Sequence, residues 1–180
     1  DQTDYMRSTL GDDRSIWQEC RSLFPCGTPY GVENLSEFNA PPRSLDRARA
    51  ALQASGYNGE KVVIINPSDF PTIGPFGHVM ADLLRRLGMN VDLVETDWGT
   101  VVQRRSNRES VDRGGWSILH TTGGATAWAN PAVSFLVRGQ GTGGWFGWWK
   151  SDEAEAMAES WLFAPNEAAQ KQIASRLGRH

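Results

Sequence analysis

The side chains of this 180-residue chain that could do chemistry are few and scattered. There are three histidines: His78, His120 and the terminal His180. His78 falls near the start of an expected helix with no serine or cysteine partner, so a half-buried surface imidazole is expected. His120 ends an expected strand, where sites in α/β folds collect, and is a candidate ligand contact. Cys20 and Cys26 enclose Arg-Ser-Leu-Phe-Pro. A metal site would need further cysteine or histidine ligands nearby, and a redox CxxC is absent. Two readings stay open, a local disulfide or a pair of free thiols. Asp152, Glu153, Glu155 and Glu159 resemble paired carboxylates, but the first turns of a helix favour acids through its dipole, so a solvated face is expected. Gly139–Gly147 lacks the basic residue and the strand-to-helix setting of a phosphate cradle. Dinucleotide, Walker A and nucleophile-elbow motifs are all missing.

Eight tryptophans are the other chemical resource. Trp145, Trp148 and Trp149 crowd one stretch, and Trp116 and Trp128 flank a glycine-rich turn. A tryptophan offers flat apolar area and one N–H donor, which suits a core and a ligand wall equally well.

The elements that must carry these residues follow from periodicity. Residues 1–10 read as a helix ended by Gly11. Residues 20–43 are rich in Pro, Gly, Asn and Ser and form a long irregular segment, seldom tolerated unless pinned or functional. Ser44 caps a helix that stops at Ser55-Gly56, and Lys61–Asn66 is a buried β-branched strand. Residues 67–75, with three prolines, form a loop before an amphipathic helix at 76–87. Met89–Glu95 alternates as a strand with one solvated face. Asp97 caps a helix from Trp98 to about Asn107, and 115–121 is a third strand. Asn130-Pro131 opens a short helix. Helices follow at 152–163 and 165–178, the second opened by Pro165. This alternation predicts an α/β fold with a largely parallel sheet flanked by helices, forming one domain over residues 1–180.

Composition narrows the function. The net charge is −3, and no basic run exceeds Arg85-Arg86 or Arg104-Arg105, which argues against a nucleic-acid binder. No run of 18 apolar residues occurs. Asp1-Gln-Thr-Asp lacks the basic start and apolar stretch of a signal peptide, which says nothing about compartment if the chain is a mature product or an excised piece. The stop at Arg176-Leu-Gly-Arg-His180 is what an excised piece would show.

Several stretches together resemble a known family. Ser44-Leu-Asp-Arg-Ala-Arg-Ala-Ala-Leu-Gln-Ala-Ser-Gly-Tyr57 is similar to a helix ending in Ala-Gly-Tyr. Met80 through Val94 is similar to a helix–Gly–strand segment, and Asp97-Trp98-Gly-Thr100 to an Asp-Trp-x-Thr helix start. Trp116-Ser-Ile through Asn130-Pro131 resembles a strand and loop ending in Asp-Pro or Asn-Pro. Ser151 through Lys171 fits a final helix pair. These belong to the C-terminal lobe of the extracellular solute-binding proteins of ABC importers that include dipeptide-, oligopeptide- and nickel-binding members.

The resemblance implies one lobe of a type II periplasmic-binding-protein fold. The parent would be a monomer in the periplasm, or on a lipid anchor outside the cell, that traps a peptide or other small solute between two lobes and delivers it to the ABC permease. It implies no reaction and no cofactor, metal or nucleic acid. Candidate ligand contacts are Phe70, Trp116, His120, Thr121, Thr122, Trp128 and Asn130. Peptide-binding relatives place an aspartate for the peptide amine about where Ala127 stands, and residues 121–131 hold no acid. Residues 66–75 hold no base for a carboxylate. The expected ligand surface is therefore neutral and aromatic, suiting a longer peptide or an uncharged solute. Two other readings remain: a small α/β enzyme domain, or a protein-interaction module built on Trp145, Trp148 and Trp149.

Overall fold

The computed structural model describes residues 1–31 and 44–180. The second half of the irregular 20–43 segment lies outside the described residues; Cys20–Gly31 is irregular, as expected. By its internal contacts the chain divides into two compact units, Asp1–Glu19 with Pro42–Thr122, and Cys20–Pro41 with Gly123–His180.

The first unit is the α/β layer. Its elements are α1 (Gln2–Leu10), α2 (Leu45–Ala54), β1 (Val62–Pro67), α3 (Gly74–Leu87), β2 (Val91–Thr96), α4 (Trp98–Arg104) and β3 (Ile118–Leu119). The strands form a parallel sheet in the order β2-β1-β3, with Ile64 opposite both Leu93 and Ile118. β1 is central and near-continuously apolar because both its faces are covered. Val63, Ile64 and Ile65 are all buried, and each such side chain contributes about 1.5–3 kcal/mol.

Helix ends are set by local chemistry. Asp1, Ser44 and Asp97 each accept a backbone N–H at a helix start, and α3 ends at Gly88 in the left-handed region, φ 96°. Arg49 of α2 donates to the Arg86 carbonyl at 2.8 and 3.1 Å, satisfying one of the open carbonyls that end α3. α3 sits close on β1 because Gly77 and Ala81 are its buried positions. A side chain at Gly77 would overlap Asn66, whose amide donates to the Gly74 carbonyl at 3.0 Å.

Several boundaries differ from the expectations. The third strand shrinks from 115–121 to Ile118–Leu119, and at its start the Ser117 hydroxyl accepts from the Val63 N–H at 3.1 Å in place of a backbone carbonyl. α4 stops at Arg104, whose guanidinium turns back onto the Gly114 and Gly115 carbonyls. α3 begins at Gly74, with Pro75 in its first turn.

The second unit pairs α5 (Asp152–Leu162) with α6 (Glu167–Leu177) over a core of Phe24, Val137, Trp161, Ala174 and Leu177. Tyr30 packs edge-on against Trp161, ring centres 5.1 Å apart, and donates to Gln170 at 2.8 Å. The cap of α6 is Asn166 and not Pro165. The helix expected at Asn130-Pro131 is instead a turn followed by a 3₁₀ turn at Phe135–Val137. The Asn130 carboxamide accepts from the N–H groups of Ala132 and Val133, but the chain does not continue as helix.

Candidate functional site

The carboxyl ends of the parallel strands converge in the first unit. β1 runs into Ser68-Asp69-Phe70, and Ser68 donates both its N–H and its hydroxyl to the Thr96 carbonyl at 2.7 and 3.1 Å. Asp69 accepts from the Trp98 N–H at 2.7 Å. Asp97 accepts from the Thr100 hydroxyl and N–H at 2.6 and 2.9 Å, which hold its carboxyl below the usual carboxylate range. Both acids thus cap α4 while staying exposed. Their reward is a fixed loop in which the half-buried Phe70 ring lies 5.2 Å from Trp98. Beyond β3, Thr121 is half-buried and Thr122 exposed. The rim therefore offers aromatic faces and hydroxyls.

His120 follows β3 and leans on Tyr5 of α1 and Phe76 of α3, with ring centres at 5.7 and 6.1 Å. Burial pushes its pKa below the ordinary imidazole value. Its Nδ1 and the Tyr5 hydroxyl are both buried without a hydrogen-bond partner among the described residues. The folded state therefore binds the His120 proton less well than the unfolded chain. The stability this confers is full above the unfolded value near 6.5 and is lost as pH falls toward the depressed folded value. The urea midpoint of the first unit is expected to fall between about pH 7 and pH 5, and His120→Phe to flatten that slope.

Trp116 takes a structural place. Its indole donates to the Arg105 carbonyl at 3.0 Å and its ring packs on Val63, Ile65 and Val101.

In the second unit, Cys20 and Cys26 are joined in a disulfide. It pins the segment that carries Phe24 into the core. Its reduction is expected to lower stability by about 2 kcal/mol, measured by urea unfolding with and without reductant. Trp128 ends a 3₁₀ turn, Ala125–Trp128, and lines a cavity of about 330 Å³ with Leu23, Phe24, Pro25, Leu136 and Val137. Glu155 corrects the expectation of a solvated acidic face. It holds Arg138 through two oxygens at 2.9 and 2.6 Å and accepts from the Gly139 N–H, and these bonds, led by the one from Arg138, lower its pKa. His78, expected half-buried, is exposed and lies 3.1 Å from Glu95.

The chain is 36% identical over 165 residues to a probable peptide ABC transporter periplasmic-binding protein of Sinorhizobium fredii, matching 90% of this chain. Its fold matches the ABC transporter substrate-binding protein CtaP of Listeria monocytogenes with a TM-score of 0.78 over 99% of the chain, at 14% identity. Haemophilus influenzae OppA, solved in complex with RPPGFSPFR, matches with a TM-score of 0.72 over 99% of the chain, also at 14% identity. The chain is similar to part of each of these proteins. It spans 30% of the curated relative and 34–35% of these two solved structures. No family model matches the chain.

The sequence candidates fall at different places in the fold. Phe70, Thr121 and Thr122 reach the strand-end rim of the first unit, and Trp128 the cavity of the second. Trp116 and Asn130 spend their polar groups on backbone. Tyr5, Asp69 and Trp98 join the first-unit site without having been singled out for it. Their partners lie 115, 29 and 28 residues away, so no local pattern marks them.

Proposed function

We propose that this chain is part of the solute-binding subunit of an ABC importer, a non-catalytic carrier that takes a peptide or similar small solute to its permease. The similarity to the probable peptide-binding protein over 90% of the chain carries this reading. The Cys20–Cys26 disulfide supports a parent working in an oxidising compartment, the periplasm or the outer face of the membrane. The parent acts as a monomer that closes over its ligand. Contacts from this chain come from Phe70, His120, Thr121 and Thr122 in the first unit and from Trp128 in the second, with Trp116 and Asn130 holding the loops in shape. Asp69 and Asp97 are engaged in capping α4, and residues 121–131 hold no acid for a peptide amine. A neutral or backbone-read ligand fits such a surface better than a free dipeptide, whose termini would need charged partners.

A thermal-shift series on the full-length parent tests this. Peptides of two to nine residues and their acetylated, amidated forms are compared. The blocked longer peptides are expected to raise Tm by several degrees at a hundredfold excess over Kd. A parent whose Tm responds to none of them contradicts the proposal.

A further inference from the structure

Helix α1 is held to the first unit by little. It has nine residues and no fully buried side chain, and a helix of that length does not persist alone in water. It packs on α3. The Tyr5 ring lies 5.3 Å from Phe76 of α3 and 5.7 Å from His120 at the end of β3, and Phe76 and His120 are 6.1 Å apart, so the three rings form one cluster. Docking also has a cost. The hydroxyls of Tyr5 and Thr9, one turn apart on α1, are occluded from solvent and have no hydrogen-bond partner among the described residues. Release of α1 returns both to water. The balance turns on His120 Nδ1, which is occluded and unpartnered as well. A neutral imidazole can keep its bare nitrogen there. A protonated one cannot, because both ring nitrogens then carry hydrogens and an Nδ1–H would be buried without an acceptor.

The groups that could relieve such a charge do not reach it. On α1 the titratable group against the ring is Tyr5, with Asp1 and Asp4 before it and Arg7 after it. On α3 Phe76 faces the ring, and His78, Asp82 and Arg86 follow. β3 brings only Ile118 and Leu119. Asp1, Asp4, His78, Asp82 and Arg86 line a separate hollow of about 460 Å³, and His78 has its own carboxylate partner in Glu95 at 3.1 Å. We propose that α1 is an acid-released strap: it stays on α3 while His120 is neutral and comes away when the His120 ring takes up a second proton. Burial alone lowers the His120 pKa, with no charged group contributing, which agrees with this. The sheet keeps its own core in Val63, Ile65 and Val101, so α1 opens locally before the unit is lost. The device is independent of which solute the parent carries.

The test is amide hydrogen exchange of the full-length parent at about pH 7 and about pH 5, corrected for the intrinsic pH dependence of exchange. Protection of the α1 amides is expected to fall in acid by at least about fivefold relative to those of β1, the low end of what one buried donor without an acceptor costs. His120→Phe keeps a ring in the cluster and removes the proton site, so α1 is expected to stay protected at both pH values. His78→Gln removes the other imidazole near α1 and is expected to leave the acid response unchanged. Tyr5→Phe keeps the ring contact without the unmet hydroxyl and is expected to slow α1 exchange at about pH 7. Protection of α1 that does not change with pH, or a fall that β1 shares equally, overturns the strap, and the native parent alone decides both. An acid response that survives in His120→Phe, or is lost in His78→Gln, overturns it too, as does Tyr5→Phe exchanging no more slowly than the native chain.

Discussion

Phe24→Ala is expected to destabilise the second unit by about 3–5 kcal/mol, enough to unfold it under conditions the native chain tolerates. Phe24 is 1% exposed and packs with Val137, Trp161, Ala174 and Leu177. It is the one side chain through which the short disulfide-closed segment enters the α5–α6 core. Truncation removes a full aromatic contact area and leaves a void that the disulfide keeps from collapsing, since the backbone at Cys20 and Cys26 is tied. The matched control is Phe163→Ala. Phe163 is 79% exposed, so its loss is expected to change stability by less than about 0.5 kcal/mol. Urea unfolding of both variants, with amide exchange read in α5 and α6, separates them. Similar losses for the two would mean that Phe24 is not where the second unit is held.

The isolated chain is expected to bind the parent's solute at least about 100-fold more weakly than the full-length protein, a difference of about 2.7 kcal/mol. The chain spans about a third of the length of its relatives. In a carrier that closes by a hinge, affinity comes from burying the solute on both sides at once. A single partner surface leaves much of the ligand wet. The acids nearest the rim around Phe70, Thr121 and Thr122 are engaged in capping α4, and residues 66–75 hold no base for a ligand carboxylate. Titration calorimetry of the same solute into chain and parent measures the gap, and equal affinities contradict a two-sided trap.

The parallel sheet was legible because β1 is an unbroken β-branched run and its flanking helices carry clear caps at Ser44 and Asp97. The limits of β3 were not; at its start Ser117 replaces a backbone acceptor with its side chain, an exchange that leaves no trace in hydrophobic alternation. The same holds for the acids. Asp152 and Glu153 behave as the helix dipole dictates, whereas Glu155, one turn into the same helix, is claimed by Arg138 seventeen residues upstream. Of the tryptophans, Trp116 and Trp128 looked alike in sequence. Only the fold shows that one indole donates to a carbonyl while the other is buried with no partner among the described residues. Side-chain type marked the candidates, and long-range geometry decided which of them the fold engages.

The central claim is that the parent of this chain carries a solute. Its most direct test is mass spectrometry of whatever the full-length protein, purified under native conditions, releases on denaturation. A peptide or amide-containing solute in near-stoichiometric amount, with at least one apolar side chain, is the expected result. A parent that releases nothing, and regains nothing after refolding and exposure to a peptide digest, would contradict it.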